Sequence, residues 1–293
     1  MHIAGRFLFY RMKTFFFILS LFLFQGEPIV VQSSIQNFSH AVSFAVTVNN
    51  SFIVCDQKTN KLFFYTKDTK ELRQFGGQGW GNYEFDNPID VWSSFLLETF
   101  VTDRNNRRIQ KYDKELNYIQ TYDENSLVNL QGRFYPLACA TTTQGNLFVI
   151  ESDGNRILKI NRRGQVEKEF GTFKDGEGSL HNPEDIAISI SNDIFVLDET
   201  QIKVFDYFGN YLRTIQLNQN QLWKTIHQYD NGIIVTSSQN IAVYTFDGIL
   251  QQNILRENTF GVDTKEDFQD AVITNGLLYI LSSSSLYRCT LSN

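Results

Sequence analysis

A string of fourteen residues occurs twice in the chain, as FGGQGWGNYEFDNP from Phe75 to Pro88 and as FGTFKDGEGSLHNP from Phe170 to Pro183. Each copy is followed by the same order of segments: an apolar strand, a second strand that ends on an acidic residue, and a third strand that opens near an isoleucine. Self-similarity of this kind is typical of architectures in which one structural unit is repeated. The repeat therefore constrains the fold more than any other feature.

The second strand of the repeat recurs along the whole chain and allows the units to be counted. Six such segments end at comparable positions, namely Asp56, Asp103, Glu151, Asp198, Ser237 and Ser282. Successive ends are 47, 48, 47, 39 and 45 residues apart, which suits four short strands with their turns and is too short for strand–helix–strand units. Radial repetition of four-stranded sheets leaves only short, protected strand edges. We therefore predict an all-β fold, a six-bladed β-propeller of four-stranded antiparallel blades.

The two ends of the chain are predicted to complete one blade together. The sixth unit has three recognisable strands before Asn293, and an apolar segment from Pro28 to Ile35 precedes the first unit without an obvious partner. If this segment supplies the fourth strand of the last blade, hydrogen bonds close the ring and neither edge is left open. The prediction is a last blade closed by an N-terminal strand.

The first residues of the chain differ in composition from the repeats. Arg11 and Lys13 precede a ten-residue apolar run, Phe15 to Phe24, which is shorter than the roughly 20 residues that span a bilayer. This layout is typical of a secretory signal. Met12 is an alternative start.

These features divide the chain into residues 1–27, a signal peptide or an uncleaved N-terminal anchor, and residues 28–293, the propeller. We expect the protein to be exported, so that it is periplasmic or secreted. The alternative is a protein that an uncleaved N-terminal segment anchors to the membrane. The formal net charge of −6 argues against a nucleic-acid partner. We expect no membrane contact beyond the N-terminal segment, and a monomer.

The three cysteines do not have the spacing of a disulfide framework. Cys55 and Cys289 fall in the first and last blades, which are neighbours in a closed ring, so a bridge between them is one alternative. The favoured interpretation is that these two thiols and Cys139 are buried and act as small apolar side chains.

Residues around the repeated string also carry a family resemblance. The pattern FG-x-G-x-G-x-F-x-x-P, then an apolar strand, then V-x-D-x-x-N-x-R-I resembles the NHL-repeat family of six-bladed β-propellers, and it is densest from Phe75 to Tyr122. The third unit keeps DGNRILKI at 153–160, and the fourth keeps Pro183 and Asp198. The last two units keep only the strand spacing and turns. The resemblance implies the fold and leaves the function open, because this fold hosts many activities.

The sequence offers few candidates for catalysis. His40, His181 and His227 are isolated from one another and lack the spacing of metal ligands, so each is expected to be an ordinary surface or loop histidine. The chain has no Gly-x-Ser-x-Gly sequence and no phosphate-binding loop. We therefore expect no metal, no cofactor and no catalytic residue.

One set of residues is predicted to surround a mouth of the central channel. Counting back thirteen residues from each second-strand end gives Ser43, Asp90, Ala138, Asp185, Lys224 and, in the sixth unit, Gln269 beside Asp270. Asp90, Asp185 and Asp270 then sit in alternate blades. Converging carboxylates would attract a cation, or the ammonium or hydroxyl groups of a ligand. In the alternative, favoured interpretation each carboxylate caps nearby backbone amides and Lys224 neutralises one of them.

The loops between second and third strands, which are expected to share one face with the connectors between blades, contain several arginines. Arg104, Arg107 and Arg108 cluster in the second unit, and Arg156 occupies the position of Arg108 in the third. Arg108 and Arg156 are expected chiefly to pair with loop carboxylates or carbonyls, with contact to a partner as the second possibility. The predicted function is an exported, non-catalytic binding scaffold that presents this face to a protein, peptide or glycan. The alternative is a metal-dependent hydrolase or lyase that uses the carboxylates at the channel mouth.

Overall fold

The computed structural model describes residues 29–68, 70–263 and 265–290. These residues form six sheets of mainly antiparallel strands, and the sheets follow one another around a ring. The fold is a six-bladed β-propeller, which confirms the predicted fold class. Asparagine and glycine residues with positive φ occupy many of the tight turns, as the turn-rich sequence predicts.

The first strand, β1 (Ile29–Gln36), belongs to the last blade. Blade 1 contains β2 (Ala41–Val46), β3 (Phe52–Asp56), β4 (Lys61–Tyr65) and β5 (Glu71–Gly76). Blade 2 contains β6 (Pro88–Ser93), β7 (Thr99–Asp103), β8 (Arg108–Tyr112) and β9 (Tyr118–Tyr122). Blade 3 contains β10 (Pro136–Thr141), β11 (Leu147–Glu151), β12 (Arg156–Ile160) and β13 (Val166–Phe170).

Blade 4 contains β14 (Pro183–Ile188), β15 (Ile194–Asp198), β16 (Gln201–Phe205) and β17 (Tyr211–Gln216). Blade 5 contains β18 (Trp223–Tyr229), β19 (Gly232–Ser237), β20 (Asn240–Thr245) and β21 (Leu250–Leu255). Blade 6 contains β22 (Thr259–Phe260), β23 (Phe268–Thr274), β24 (Leu277–Ser282), β25 (Ser285–Thr290) and β1. Short 3₁₀ turns occupy Gly176–Gly178 and Arg256–Asn258.

The first strand of each blade lies at the centre of the ring, where it contacts the first strands of both neighbouring blades. These six innermost strands are β2, β6, β10, β14, β18 and β23. Since all six run in the same direction along the channel, the channel has two different ends. We call the end where the innermost strands begin the start mouth, and the other end the end mouth. The loops between second and third strands and the connectors between blades surround the start mouth.

The hydrophobic core is divided into six clusters, and each cluster fills the seam between two adjacent blades. Aromatic rings from facing sheets meet there, as in the seam between blades 3 and 4, where the ring centroids of Phe170 and Phe205 are 5.0 Å apart. The second strand of every blade is almost fully buried. Because burial of apolar area is the main stabilising contribution, each blade depends on both of its neighbours.

The N-terminal strand closes the ring as predicted. β1 pairs antiparallel with β25, from Val30 opposite Thr290 to Gln36 opposite Ser285. The last blade differs from the prediction in having a fifth strand, because the two-residue β22 pairs in parallel with the outer edge of β1. This extra strand covers the first two residues of the outer edge of β1. Pro28, which the prediction included in the closing strand, lies outside the described residues.

All three cysteines are free and buried. Cys55 packs in the seam between blades 1 and 2, whereas Cys289 packs in the seam between blades 5 and 6. The two side chains therefore face different seams, and the alternative of a bridge between them is not realised.

The predicted signal or anchor at residues 1–27 lies outside the described residues. Within residues 29–68, 70–263 and 265–290, no helix has the length and apolar composition needed to cross a membrane.

Candidate functional site

A polar cavity of about 360 Å³ opens at the start mouth. Its lining includes the predicted Asp90, Asp185, Asp270 and Lys224, together with Arg104, Glu184, Gln57, Thr225 and His227. The structure thus brings the predicted channel-mouth residues to one place. The innermost strands position them, because each of these side chains lies near the start of its strand.

The strand register shows which positions are equivalent around the ring. In every blade the pairing of the first two strands shifts near its start, and the residue just after the shift holds the same place: Ser43, Asp90, Ala138, Asp185, Thr225 and Asp270. Asp270 is therefore a full member of the ring, although its distance from the second-strand end is one residue shorter. For the same reason Thr225, and not Lys224, is the member from blade 5.

Turn length explains this one-residue difference. Blades 1–4 join their first two strands by five-residue loops, as between Val46 and Phe52. Blades 5 and 6 use two-residue turns, as between Tyr229 and Gly232, and each of their first two strands pairs over one more residue, so the net difference is one residue. The assumption of a constant offset of thirteen residues fails in these two blades.

The three ring carboxylates hold successive blades together. Asp90 of blade 2 accepts a hydrogen bond from the backbone amide of Cys139 in blade 3 at 3.2 Å. Asp185 of blade 4 accepts one from Ile226 in blade 5 at 2.8 Å. Asp270 of blade 6 accepts one from Phe44 in blade 1 at 3.2 Å. Each carboxylate thus fastens the innermost strand of the next blade.

Ser43 completes a fourth connection of the same kind. Its hydroxyl accepts a hydrogen bond from the amide of Val91 and donates one to Asp90, both at 3.2 Å. The equivalent Ala138 has no polar group, and Thr225 Oγ1 is buried without a hydrogen-bond partner among the described residues. The ring position therefore serves mainly to join blades, as the capping interpretation anticipated, but the amides belong to the neighbouring blade.

His227 is a site residue that the sequence analysis missed. Its Nε2 lies 2.7 Å from Asp270 Oδ1, and its side chain is only 13% exposed. The expectation of an ordinary surface or loop histidine was wrong for this residue. The signal in the sequence is its position two residues after ring member Thr225, where three other blades place alanine. That position has no meaning until the strand register around the ring is known.

Burial and charge act together on this cluster. Burial disfavours the charged form of His227, but the charge and hydrogen bond of Asp270, with Asp185 and Asp90 nearby, outweigh it and raise the pKa of His227 to about 9. Burial raises the pKa of Asp90 to about 6, although the amide of Cys139 and the charge of His227 oppose the change. Burial, followed by the charge of Asp90, raises the pKa of Asp185 well above its usual range. A protonated His227 is thus surrounded by three buried acids.

Lys224 lies beside this cluster at the start mouth and is half-buried. Burial lowers its pKa, and Asp267 opposes that change. Among the described residues, no group of three or more histidine, cysteine or acidic side chains is arranged to hold a metal ion.

Two of the predicted partner-binding arginines are occupied inside the fold. Arg108 Nε lies 2.9 Å from the buried carboxylate of Asp103, and its other nitrogens bind the carbonyls of Trp80, Gly81 and Glu84. Arg156 pairs in the same way with Glu151, at 3.0 Å, and with Glu169 and the Gln131 carbonyl. Both clamp a connector between blades to the loop after the second strand.

The other two arginines lie on the surface of the start-mouth face. Arg104 is exposed and lines the polar cavity. Arg107 is also exposed, with its guanidinium 5.0 Å from the centre of the Tyr135 ring and 4.0 Å from Glu124. These side chains are available for contact with other molecules.

Comparison with known proteins confirms the resemblance that the motifs carry. The human E3 ubiquitin-protein ligase NHLRC1 is 27% identical over 124 residues, which is 41% of this chain and 31% of the ligase. This chain thus matches about a third of the length of that relative. No family model matches the chain.

Solved structures with the same fold include enzymes. Virginiamycin B lyase from Staphylococcus aureus superposes with a TM-score of 0.63 at 12% identity, covering 89% of this chain and 99% of the lyase. A gluconolactonase from Xanthomonas campestris superposes with a TM-score of 0.66 at 11% identity, covering 92% and 96%. At such identities the likeness shows the fold alone. The fold and motifs thus define a six-bladed propeller similar to NHL-repeat proteins.

Proposed function

We propose that the protein is a non-catalytic binding scaffold that presents its start-mouth face to a protein, peptide or glycan partner. The observation that carries this proposal is the use of the ring carboxylates. Both oxygens of Asp90, Asp185 and Asp270 accept hydrogen bonds from protein groups, mostly backbone amides. Carboxylates that are committed to joining blades are poorly placed to act as metal ligands or to exchange protons with a substrate.

The start-mouth face has the composition of a binding surface. The connectors that lead into blades 2, 4 and 5 expose Trp80, Phe173 and Leu222, which are 70%, 83% and 85% accessible. Arg104 and Arg107 lie on the loop between β7 and β8 on the same face. Exposed aromatic side chains and arginines are the residue types that dominate binding energy at protein surfaces. A partner would bury the apolar side chains and pair with the arginines.

The proposal is tested with a photo-crosslinking residue at position 173 of the full chain, in its native compartment. The recovered partner is then purified and its affinity measured with Phe173→Ser and Arg104→Glu variants. We expect each variant to weaken binding about tenfold or more, which corresponds to about 1.4 kcal/mol. Ile249→Ser is the matched control, because Ile249 is 61% exposed on a loop at the opposite face. Equal loss of affinity in the control variant would contradict the proposal.

A metal-dependent hydrolase or lyase is the second candidate function. It is favoured by the acidic cluster around His227, which opens into a polar cavity large enough for part of a substrate. The lyase and the gluconolactonase with the same fold show that such propellers support catalysis. Elemental analysis of the purified protein tests this candidate: a stoichiometric divalent metal would favour it over the scaffold.

Export from the cytoplasm is also part of the proposal. It rests on the basic residues Arg11 and Lys13 before the apolar run Phe15 to Phe24. Fractionation of the source cells and N-terminal sequencing are expected to find the protein outside the cytoplasm. An intact, full-length chain in the soluble cytoplasmic fraction would rule export out.

A further inference from the structure

A second cavity, of about 370 Å³, opens at the end mouth, on the face opposite the proposed partner surface. It is separate from the polar cavity, and His227 lines both of them. Its volume falls within the range of small-molecule sites, roughly 300–1,000 Å³. The cavity is therefore large enough to hold a small organic molecule.

The rim of this cavity is asymmetric. Five-residue loops follow the innermost strands of blades 1–4, whereas two-residue turns follow those of blades 5 and 6. Val48 and Phe95 line the cavity from the five-residue loops of blades 1 and 2 and are 47% and 56% exposed. Exposed apolar side chains that converge on a cavity are typical of a ligand site.

The inner wall carries two large side chains on opposite sides of the ring. Trp92 in blade 2 and His227 in blade 5 occupy equivalent positions in the strand register. Each lies two residues after the ring member of its blade, Asp90 or Thr225, and blades 1, 3 and 4 have alanine at this position. Trp92 Nε1 donates a hydrogen bond to Thr141 Oγ1 at 3.2 Å, which fixes the indole ring. The cavity thus has a fixed aromatic wall with space beside it.

The charges around this cavity favour a cation near its rim. No lysine or arginine is among its described lining residues, whereas Arg104 and Lys224 line the start-mouth cavity. Asp230, on the two-residue turn of blade 5, is exposed at the rim. His227 lies at the inner end and is already paired with Asp270, so Asp230 at the rim is the exposed carboxylate among the described lining residues that a positive group can reach.

We propose that the end-mouth cavity binds a small organic amine with an apolar or aromatic body. The body packs against Trp92, Phe95 and Val48, and the ammonium group remains at the rim beside Asp230. Aromatic walls and a carboxylate are the groups that proteins use to hold organic cations. The inference is independent of the partner surface, because the two sites lie on opposite faces.

Isothermal titration calorimetry of the purified protein with phenethylamine tests this inference. We expect saturable binding of the amine, and binding at least tenfold weaker for 2-phenylethanol and phenylacetate, which have the same apolar body with a neutral or an anionic head. Asp230→Asn is expected to weaken phenethylamine binding about tenfold, and Phe95→Ser to weaken all three compounds. Melting curves of each variant check that it is folded.

Arg104→Gln is the matched control, because it changes the charge of the opposite mouth and is expected to leave amine binding unchanged. Absence of saturable amine binding would overturn the inference. Equal binding of 2-phenylethanol, or an unchanged affinity in Asp230→Asn, would overturn it as well, since either result removes the role of the cation. None of these outcomes depends on the partner surface, so the scaffold proposal succeeds or fails separately.

Discussion

Asp270 is the residue on which three blades converge. One oxygen of its buried carboxylate binds His227 of blade 5 and the amide of Ala271 in its own strand, and the other binds the amide of Phe44 in blade 1. Blade 6 is also the blade that the two ends of the chain build together. At the inner edge of the ring, Asp270 therefore reinforces the closure that β1 and β25 provide further out.

Removing this carboxylate is expected to be costly. Asp270→Ala removes the acceptor of the His227 ring and of the amides of Phe44 and Ala271, and breaking a buried pair costs about 3–5 kcal/mol. We predict a loss of unfolding free energy of about that size in urea denaturation at neutral pH. Asp230→Asn, a change of an exposed turn residue, is the control and is expected to change stability by less than about 0.5 kcal/mol. A loss below 1 kcal/mol in Asp270→Ala would contradict the bridging role.

The pairing of His227 also predicts a pH dependence. Its pKa is raised from 6.5 to about 9 in the folded protein. The folded state therefore binds the proton more tightly, so the stabilisation is fully present below pH 6.5 and is lost as pH rises through about 9. We predict that the stability of the wild type falls over this interval relative to His227→Gln. Urea denaturation of both proteins at pH 6, 7.5 and 9.5 measures the difference, and a difference that does not change with pH would contradict the assignment.

At the residue scale the sequence predicted part of this cluster. Asp90 and Asp185 were found because both blades keep the same loop length, so equal spacing translates into equal position. In blades 5 and 6 the two-residue turns, with one more paired residue in each of the first two strands, make the distance to the second-strand end one residue shorter. The offset of thirteen residues therefore gives Gln269 beside Asp270, and it gives Lys224 in place of Thr225. His227 could not be recognised, because its partners lie on other blades and only the closed ring brings them within hydrogen-bonding distance.

At the scale of the element, β1 is the strand with the clearest single role. It pairs with β25 along its length, and Ile29 and Ile35 at its two ends are buried in the seams on either side of blade 6. The strand thus contributes both hydrogen bonds and apolar contacts to closure. Its role was predictable because the last unit is one strand short. The two-residue β22 was not predictable, since so short a strand has no alternation to detect.

Deleting residues 29–36 is therefore predicted to destabilise the ring strongly. Each buried isoleucine contributes about 2–5 kcal/mol, and for a protein of this size about 1 kcal/mol shifts the melting temperature by roughly 2–4 °C. We expect the melting temperature to fall by more than about 10 °C in thermal unfolding followed by circular dichroism. A chain that begins at Ile29 is the control, because it retains β1. An unchanged melting temperature after the deletion would refute closure by this strand.

At the scale of the whole molecule, the structure is a ring of equivalent blades with unequal ends. The sequence predicted the ring, because self-similar spacing and strand alternation are local properties that survive without tertiary information. The sequence predicted the chemistry of the two channel mouths less well. That chemistry depends on which loops are short and on which side chains meet across the channel. The end-mouth cavity in particular is lined by residues from five different blades.

The central claim is that the ring carboxylates join blades and do not form a metal site. Thermal unfolding with calcium, magnesium, manganese or zinc, in the wild type and in an Asp90→Asn, Asp185→Asn double variant, tests it most directly. We predict that the double variant is less stable than the wild type and that no ion raises the stability of the wild type through these residues. A bound ion would instead stabilise the wild type by RT ln(1 + [L]/Kd), about 2.7 kcal/mol at a hundredfold excess over Kd. Such a rise, lost in the double variant, would contradict the account and favour the metal-dependent enzyme.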